Sequence, residues 1–297
     1  MQQLIVIEGP TASGKTALAV AVAKALNTVV LSADSRQFYK ELAIGTAKPS
    51  AEEMEGIPHY FIDSHSIFTP VSAAQFEAEA MQLIEGPLAR HEQLVLVGGS
   101  GLFIDALCLG LDPIPTDPAI QDVLRKELEE NGINPLLQEL KTADPIFFDQ
   151  VDKQNPMRIL RALEVIRSTG IPFSDWRKNE LPKRPFEVVR FVINHPREQL
   201  YHRINLRVDH MIEAGLIDEV KRVEEFRHLT ALQTVGYKEV FDYFDGKTDL
   251  KTCIDKIKQH TRNYAKRQLT WFKKHPGTIW LDAKPTKELA EQILQAI

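Results

Sequence analysis

The stretch from Leu4 to Thr16, LIVIEGPTASGKT, carries the clearest chemical signal in this sequence. Within it Gly9, Pro10, Thr11, Ala12, Ser13, Gly14, Lys15 and Thr16 have the residue types and spacing of a phosphate-binding loop. Its glycines let successive backbone N–H groups converge on phosphate oxygens. Lys15 adds a point charge, and the N-terminus of the helix that must follow adds a partial positive charge. Thr16 supplies a hydroxyl for a magnesium ion. The motif does not say which phosphate it holds. A conventional P-loop ATPase holds its magnesium through an acid that ends a second buried strand. Here the apolar run Leu94 to Val97 ends in Gly98-Gly99-Ser100 instead. Asp34 and Asp63 are then the acids left for the site. Asp34 is the preferred one, although a helix N-cap or a place around the magnesium would also account for it.

Two groups of cations could serve the same anion. Arg203 and Arg207 are one helical turn apart, close enough to clamp a diphosphate, and equally suited to surface ion pairing. The segment from Asp255 to His275 carries seven lysines and arginines against one acid, with Tyr264, Trp271 and Phe272 interleaved, in a chain of net charge −5. Such a helix suits contact with a nucleic-acid backbone, through residues such as Arg262 and Lys266, together with base stacking. The alternative is a solvated face whose aromatics pack inward. A further group, Arg158, Arg161 and Arg167, lies in the middle of the chain.

These residues need a scaffold that brings strand ends together. Leu4 to Ile7 reads as a buried parallel strand and Ala17 to Leu26 as the helix after the loop. Thr28 to Ser32 reads as a second strand that delivers Asp34, Ser35, Arg36 and Gln37 to the carboxyl edge of a sheet, where ligands of open α/β sheets bind. His59 to Asp63 reads as a short strand, Val71 to Arg90 as a crossover helix and Leu94 to Val97 as another strand. The alternation stops at the prolines 113, 115 and 118, and residues 117–170 read as helices only. Phe186 to Asn194 restores the sheet. Helices at Arg197–Glu213, Ile217–Glu225 and Leu250–Lys274 follow, then a strand at Thr278–Leu281 and a closing helix at Lys287–Ala296. The expected architecture is an α/β fold with a P-loop NTPase-like parallel sheet core flanked by helices. Residues 1–112 and 180–297 form that core, and 113–179 form an all-helical insertion domain.

At 297 residues, 43% hydrophobic and 26% charged, the chain can bury one large core or two smaller ones. The net charge argues against a uniformly basic nucleic-acid binder. Cys108 and Cys253 are too few for a disulfide framework or a cysteine metal site. A signal peptide and a run of about 18 apolar residues are both missing, so a cytoplasmic protein without membrane contact is expected.

Taken together, the motifs resemble those of the tRNA dimethylallyltransferase family, also called tRNA isopentenyltransferases. The resemblance runs through GPTASGKT (9–16), SADSRQ (32–37), GTAKP (45–49), His59–Asp63, GGSGLF (98–103), NPMRILRALEV (155–165), Arg207–Val220, GYKE (236–239) and TRNYAKRQLTWF (261–272). It implies transfer of the dimethylallyl group of dimethylallyl diphosphate to N6 of the adenine just 3′ of the anticodon. The phosphate loop, Gly9 to Thr16, would then grip a prenyl diphosphate rather than ATP. Asp34 matches the family's general base, and Ser100 belongs to its catalytic set. Lys15, magnesium on Thr16, and Arg203 or Arg207 would stabilise the leaving diphosphate. Asp34, Ser35, Arg36, Gln37 and Ser100, with Gln154, Asn155, Pro156, Met157 and Arg158 of the insertion, would hold the anticodon loop of tRNA with one adenine splayed out. Ser100 stands where the family usually has Thr, and Phe103 where it has Tyr. The arginine usual early in the insertion finds Gln121 or Arg125. The zinc-finger extension of some eukaryotic relatives has no counterpart, which implies the bacterial type, and a monomer is expected. The rival readings are a small-molecule P-loop kinase using ATP and a nucleotide-dependent RNA-binding switch; the second is weakened because the sequence has no Asn-Lys-x-Asp motif.

Overall fold

The first strand, β1 (Gln2–Glu8), is apolar on both faces because both are covered. Leu4 and Val6 enter one core, and Ile5 and Ile7 enter the other. The structure is a computed structural model that describes residues 1–177 and 182–297. In chain order the elements after β1 are α1 (Lys15–Ala25), β2 (Val30–Ser32), β3 (His59–Tyr60), α2 (Ala73–Glu85), β4 (Gln93–Gly98) and α3 (Gly101–Leu109). Then come α4 (Pro118–Asn131), α5 (Ile133–Ala143), α6 (Pro145–Gln150), α7 (Pro156–Thr169) and α8 (Phe173–Trp176). The chain closes with β5 (Phe186–Asn194), α9 (Arg197–Glu213), α10 (Leu216–Arg222), α11 (Tyr237–Phe244), α12 (Leu250–Phe272), β6 (Ile279–Asp282) and α13 (Thr286–Ala296).

Among the described residues six strands pair in parallel, in the order β3-β2-β4-β1-β5-β6. The expected parallel α/β sheet with flanking helices is therefore present. β4 lies between β1 and β2, and the chain then crosses to the other side of β1 to form β5. The crevice for a ligand accordingly falls at the carboxyl ends of the strands around β1, where the phosphate loop leaves the sheet. Helices α1 and α13 cover one face of the sheet through Leu18, Val22, Leu289 and Ile293. Helices α2 and α3 cover the other through Phe76, Ile84, Ile104 and Leu107. A third core joins α9–α12 to the 39–44 segment around the fully buried Tyr237.

Several elements differ from expectation; the crossover helix expected over Val71–Arg90, for one, spans Ala73–Glu85. The strand expected through Asp63 stops at Tyr60, because Phe61 and Asp63 take left-handed backbone angles (φ 65° and 52°). The helix expected over Ile217–Glu225 ends at Arg222. Helix α11 begins inside the segment read only as a GYKE motif, where Glu239 reaches back to the Gly236 N–H at 2.7 Å.

The chain divides into two compact units, Met1–Cys108 with Arg184–Ile297, and Leu109–Lys183. The expected first boundary, 112/113, falls a turn later than this division, and the expected second, 179/180, falls outside the described residues. The Leu109–Lys183 unit packs α4, α5 and α7 around Leu124, Leu136, Leu140, Ile159 and Leu163. Its buried Asp144 caps α6 through the Phe147 N–H and accepts from Ser174. Among the described residues no helix is long and apolar enough to cross a membrane.

Candidate active site

At the carboxyl edge of the sheet a cavity of about 460 Å³ opens, and every residue lining it belongs to the sheet-bearing unit. The phosphate loop forms one wall. Gly14 stands at φ 90°, a left-handed angle that glycine adopts without strain, and this turns the chain into α1. No side chain caps α1. Its first-turn N–H groups therefore point outward beside Lys15 and Thr16, ready for an external anion. Behind the loop, Arg203 Nε donates to Ala12 O at 2.7 Å and His195 Nε2 bonds Ser13 O at 2.8 Å.

Lys15, Thr16, Asp34, Ser35, Arg36, Gln37 and Arg207 share this cavity. Burial pulls the Lys15 ammonium down to about 8, against the opposing pull of Asp34, and Arg207 adds to the lowering. Arg207 is likewise lowered by burial, with Asp34 and Glu53 opposing. Arg36, Lys238 and Arg267 complete a lining of five cations against one carboxylate, Asp34. Such a lining favours a polyanion. Inorganic diphosphate should then bind the protein more and more weakly relative to a Lys15→Arg variant as pH rises from about 7 to about 9. Lysine loses its charge over that range and arginine does not. Parallel calorimetric pH profiles for the two proteins would contradict this.

Asp34 and Asp63 take different places in the structure. Asp63 is ion-paired with Lys48 and does not line the cavity, whereas Asp34 does. Asp34 Oδ1 also accepts the Arg36 N–H at 3.3 Å, but residues 35–38 form a turn and no helix starts there, so Asp34 is not a helix cap.

Several expected site residues lie behind the wall or are already engaged by protein groups. Ser100 is not in the cavity lining: its Oγ accepts the Ser35 N–H at 3.0 Å and bonds Ser35 Oγ at 3.1 Å, which sets the turn after Asp34. Arg203 holds the back of the loop, so of the two arginines only Arg207 faces the cavity. Gln37 lines the cavity, but its carboxamide donates to Thr46 O and Ala47 O at 3.3 and 3.1 Å. Arg36 donates to the carbonyls of Thr230 and Ala231, both at 3.2 Å. Phe103 packs edge-on against Phe38 in the core. On α12, Arg262 is engaged by Asn205 Oδ1 at 2.7 Å and lies over the Tyr201 ring, while Lys266 is exposed.

In the helical unit Asn155 caps α7 through the Arg158 N–H, Gln154 N–H bonds Asp152, and Met157 and Arg158 are exposed. Arg161 is paired with Glu164 and Arg167 with Glu127 and Glu139. Gln121 donates to the same Glu164 at 2.9 Å.

Of the other lining residues on α12, Tyr264 is the aromatic read as a stacking candidate, and Ile257, Thr261 and Gln268 carry no individual signal in the sequence. Ile257, Thr261, Tyr264 and Gln268 fall on one stripe of α12, and burial pushes the Tyr264 phenol up to about 12. The wall formed by Gly45, Thr46 and Ala47 is held by Glu219. Its buried carboxylate accepts the N–H groups of Ala43, Ile44 and Gly45 at 2.8–3.0 Å and the Tyr237 hydroxyl at 2.6 Å. Beneath the loop, Glu8 is fully buried against Arg190, which also bonds Asp105. Burial pushes the Glu8 carboxyl up to about 7, with Arg190 opposing and Asp105 adding.

The family model described as IPP transferase matches residues 37–275. The chain belongs to the IPP transferase family. The tRNA dimethylallyltransferase of Cytophaga hutchinsonii is 47% identical over 284 residues, 93% of each chain. The tRNA dimethylallyltransferase 1 of Bacteroides thetaiotaomicron is 42% identical, over 99% of this chain and 96% of its own. Among solved structures, the tRNA isopentenylpyrophosphate transferase of Bacillus halodurans is 37% identical with a TM-score of 0.73, over 100% of this chain and 96% of that one. A eukaryotic dimethylallyltransferase acting on tRNA is 26% identical with a TM-score of 0.82, over 100% of this chain and 77% of that one. The IPP transferase match begins at Gln37, past the phosphate loop and Asp34, so the loop and the matched span are two separate signals.

Proposed function

We propose that this cavity transfers a dimethylallyl group from dimethylallyl diphosphate to N6 of the adenine 3′-adjacent to the anticodon in tRNA, releasing diphosphate. The observation that carries the reading is the joint opening of an uncapped phosphate-loop helix, Lys15, Arg207 and Asp34 onto one cation-rich cavity, beside a β4 that ends in glycine. The adenine amine is a weak nucleophile because its lone pair is delocalised into the ring, so a base must take its proton as the new bond forms. N6 attacks the prenyl carbon that bears oxygen, the C–O bond breaks with its electrons on diphosphate, and the amine proton passes to the Asp34 carboxylate. Lys15, Arg207 and the α1 N–H groups meet the growing negative charge. Arg203, Ser100 and Gln37 hold the walls on which those groups sit.

Magnesium suits this donor set: the Thr16 hydroxyl is a hard oxygen ligand in the same cavity, with diphosphate oxygens and water to complete the coordination. When bound it would neutralise diphosphate charge. Among the described residues no cluster of three His, Cys, Asp or Glu side chains could hold a metal by itself. The cavity is complete within one chain, which fits a functional monomer.

The tRNA would contact the turn at Ser35 and Arg36, the α7 N-terminus at Gln154–Arg158, and the basic face of α12. Arg262→Ala with Lys266→Ala should flatten the log–log salt dependence of tRNA binding by about 0.7–0.9 for each phosphate no longer neutralised, and leave diphosphate binding unchanged. Lys266 should account for the larger share, because Arg262 is already engaged by Asn205. A salt slope equal to the parent's would make α12 a solvated face. Nuclease digestion of tRNA after reaction tests the acceptor. Label should be found on N6 of the adenosine following the anticodon, and label on another nucleoside would refute that assignment.

A further inference from the structure

Gln268 on α12 joins two loops that are far apart in sequence. It is buried, and its Oε1 accepts the N–H of Thr11 in the phosphate loop at 2.9 Å. Its Nε2 donates to the carbonyl of Gly99, just past β4, at 2.8 Å. A Cβ on Gly99 would sit 2.3 Å from that Nε2, so the glycine leaves room for the bridge. A neutral carboxamide accepts at one terminal atom and donates at the other, which matches an N–H on one side and a C=O on the other. One turn along the helix, Trp271 Nε1 donates to Asp105 Oδ2 at 2.7 Å. Helix α12 is thus fastened at successive turns to the phosphate loop and to the Asp105–Arg190 pair beneath it.

We propose that Gln268 is a positioning residue for the diphosphate site. By bridging Thr11 and Gly99 it fixes the phosphate loop against the sheet edge and makes the loop's anion-binding shape depend on the seating of α12. The Thr11 N–H is engaged by Gln268, so the bridge sets the loop's geometry while the α1 N–H groups and Lys15 meet the ligand. This rests on the assignment of Gly9–Thr16 to diphosphate.

Gln268→Met keeps the volume and removes both hydrogen bonds. Three properties are to be measured without turnover: calorimetric affinity for inorganic diphosphate, tRNA affinity, and hydrogen exchange at the Thr11 amide. Loss of two net hydrogen bonds predicts a fall in diphosphate affinity of about 5- to 150-fold, faster exchange at Thr11, and tRNA affinity close to the parent's. Gln268→Glu adds a readout that packing alone would not move. Its ionised carboxylate faces the Gly99 carbonyl with no proton to donate, whereas its neutral acid can donate again. Its defect should shrink as pH falls, while that of the Met variant should not. Gly99→Ala presses on the same amide and gives the same readouts should the Met variant not fold. A folded Met variant with the parent's diphosphate affinity, or with unchanged Thr11 exchange, would overturn the proposal. Failure of the parent itself to bind diphosphate would instead overturn the assignment of the loop, and Thr11 exchange would still decide the bridge.

Discussion

Asp34→Asn should cut single-turnover prenyl transfer by about 10²–10⁴, the usual contribution of a positioned general base, with tRNA and diphosphate affinities within a few-fold of the parent's. The substitution keeps the size of the side chain and an oxygen for the Arg36 N–H, so the turn at 35–38 has no reason to change. What it removes is the one carboxylate in a lining of five cations. Removing it also strengthens the positive field felt by a diphosphate, so binding of that ligand should hold or tighten slightly while chemistry fails. An unchanged single-turnover rate would take Asp34 out of the chemistry and leave it as a turn residue. Asp63 offers no fallback, because Lys48 already pairs with it outside the cavity.

Lys15→Ala should lower the transfer rate by about 10²–10³, the usual cost of losing one donor to a developing anion, and weaken donor binding much less. The charge on the departing oxygen grows as the C–O bond breaks, so a cation there contributes more to the transition state than to the ground state. Arg207 shares that charge from the same cavity. Its loss should be milder than that of Lys15 and not additive with it. Arg203 does not line the cavity and donates to the Ala12 carbonyl, so its effect should pass through the loop and be smaller still. Comparing single-turnover rates with donor dissociation constants separates these cases. Equal losses in rate and affinity for Lys15→Ala would mean that its interaction is uniform along the reaction.

The phosphate loop was legible in the sequence because its constraints are local: glycine angles, the lysine and the following helix all lie within a few residues. The strands were legible because a sheet covered on both faces requires continuous apolar runs, as at Leu4–Ile7 and Leu94–Val97. Asp34 could be singled out because β4 ends without an acid. The second layer of the site was not legible. Glu219 reads as an ordinary acid in the first turn of a helix, and only tertiary packing shows its carboxylate receiving three N–H groups from a loop more than 170 residues earlier. Arg203 and Arg207 look equivalent at helical spacing, yet one meets the back of the loop and the other the cavity. Tyr264 and Gln268 were recoverable in part, since Ile257, Thr261, Tyr264 and Gln268 recur at the three- and four-residue spacing of one helical face. The charge count of α12 favoured Arg262 and Lys266 instead, while the basic residue of that helix lining the cavity is Arg267.

The most direct test is to incubate the protein with labelled dimethylallyl diphosphate, bulk tRNA and magnesium, with and without ATP, and with inorganic diphosphate titrated in. Label should enter tRNA without ATP, and diphosphate should suppress it in competition with the prenyl donor. A requirement for hydrolysed ATP, or no competition from diphosphate well above the donor's dissociation constant, would contradict the assignment of this phosphate loop to prenyl transfer.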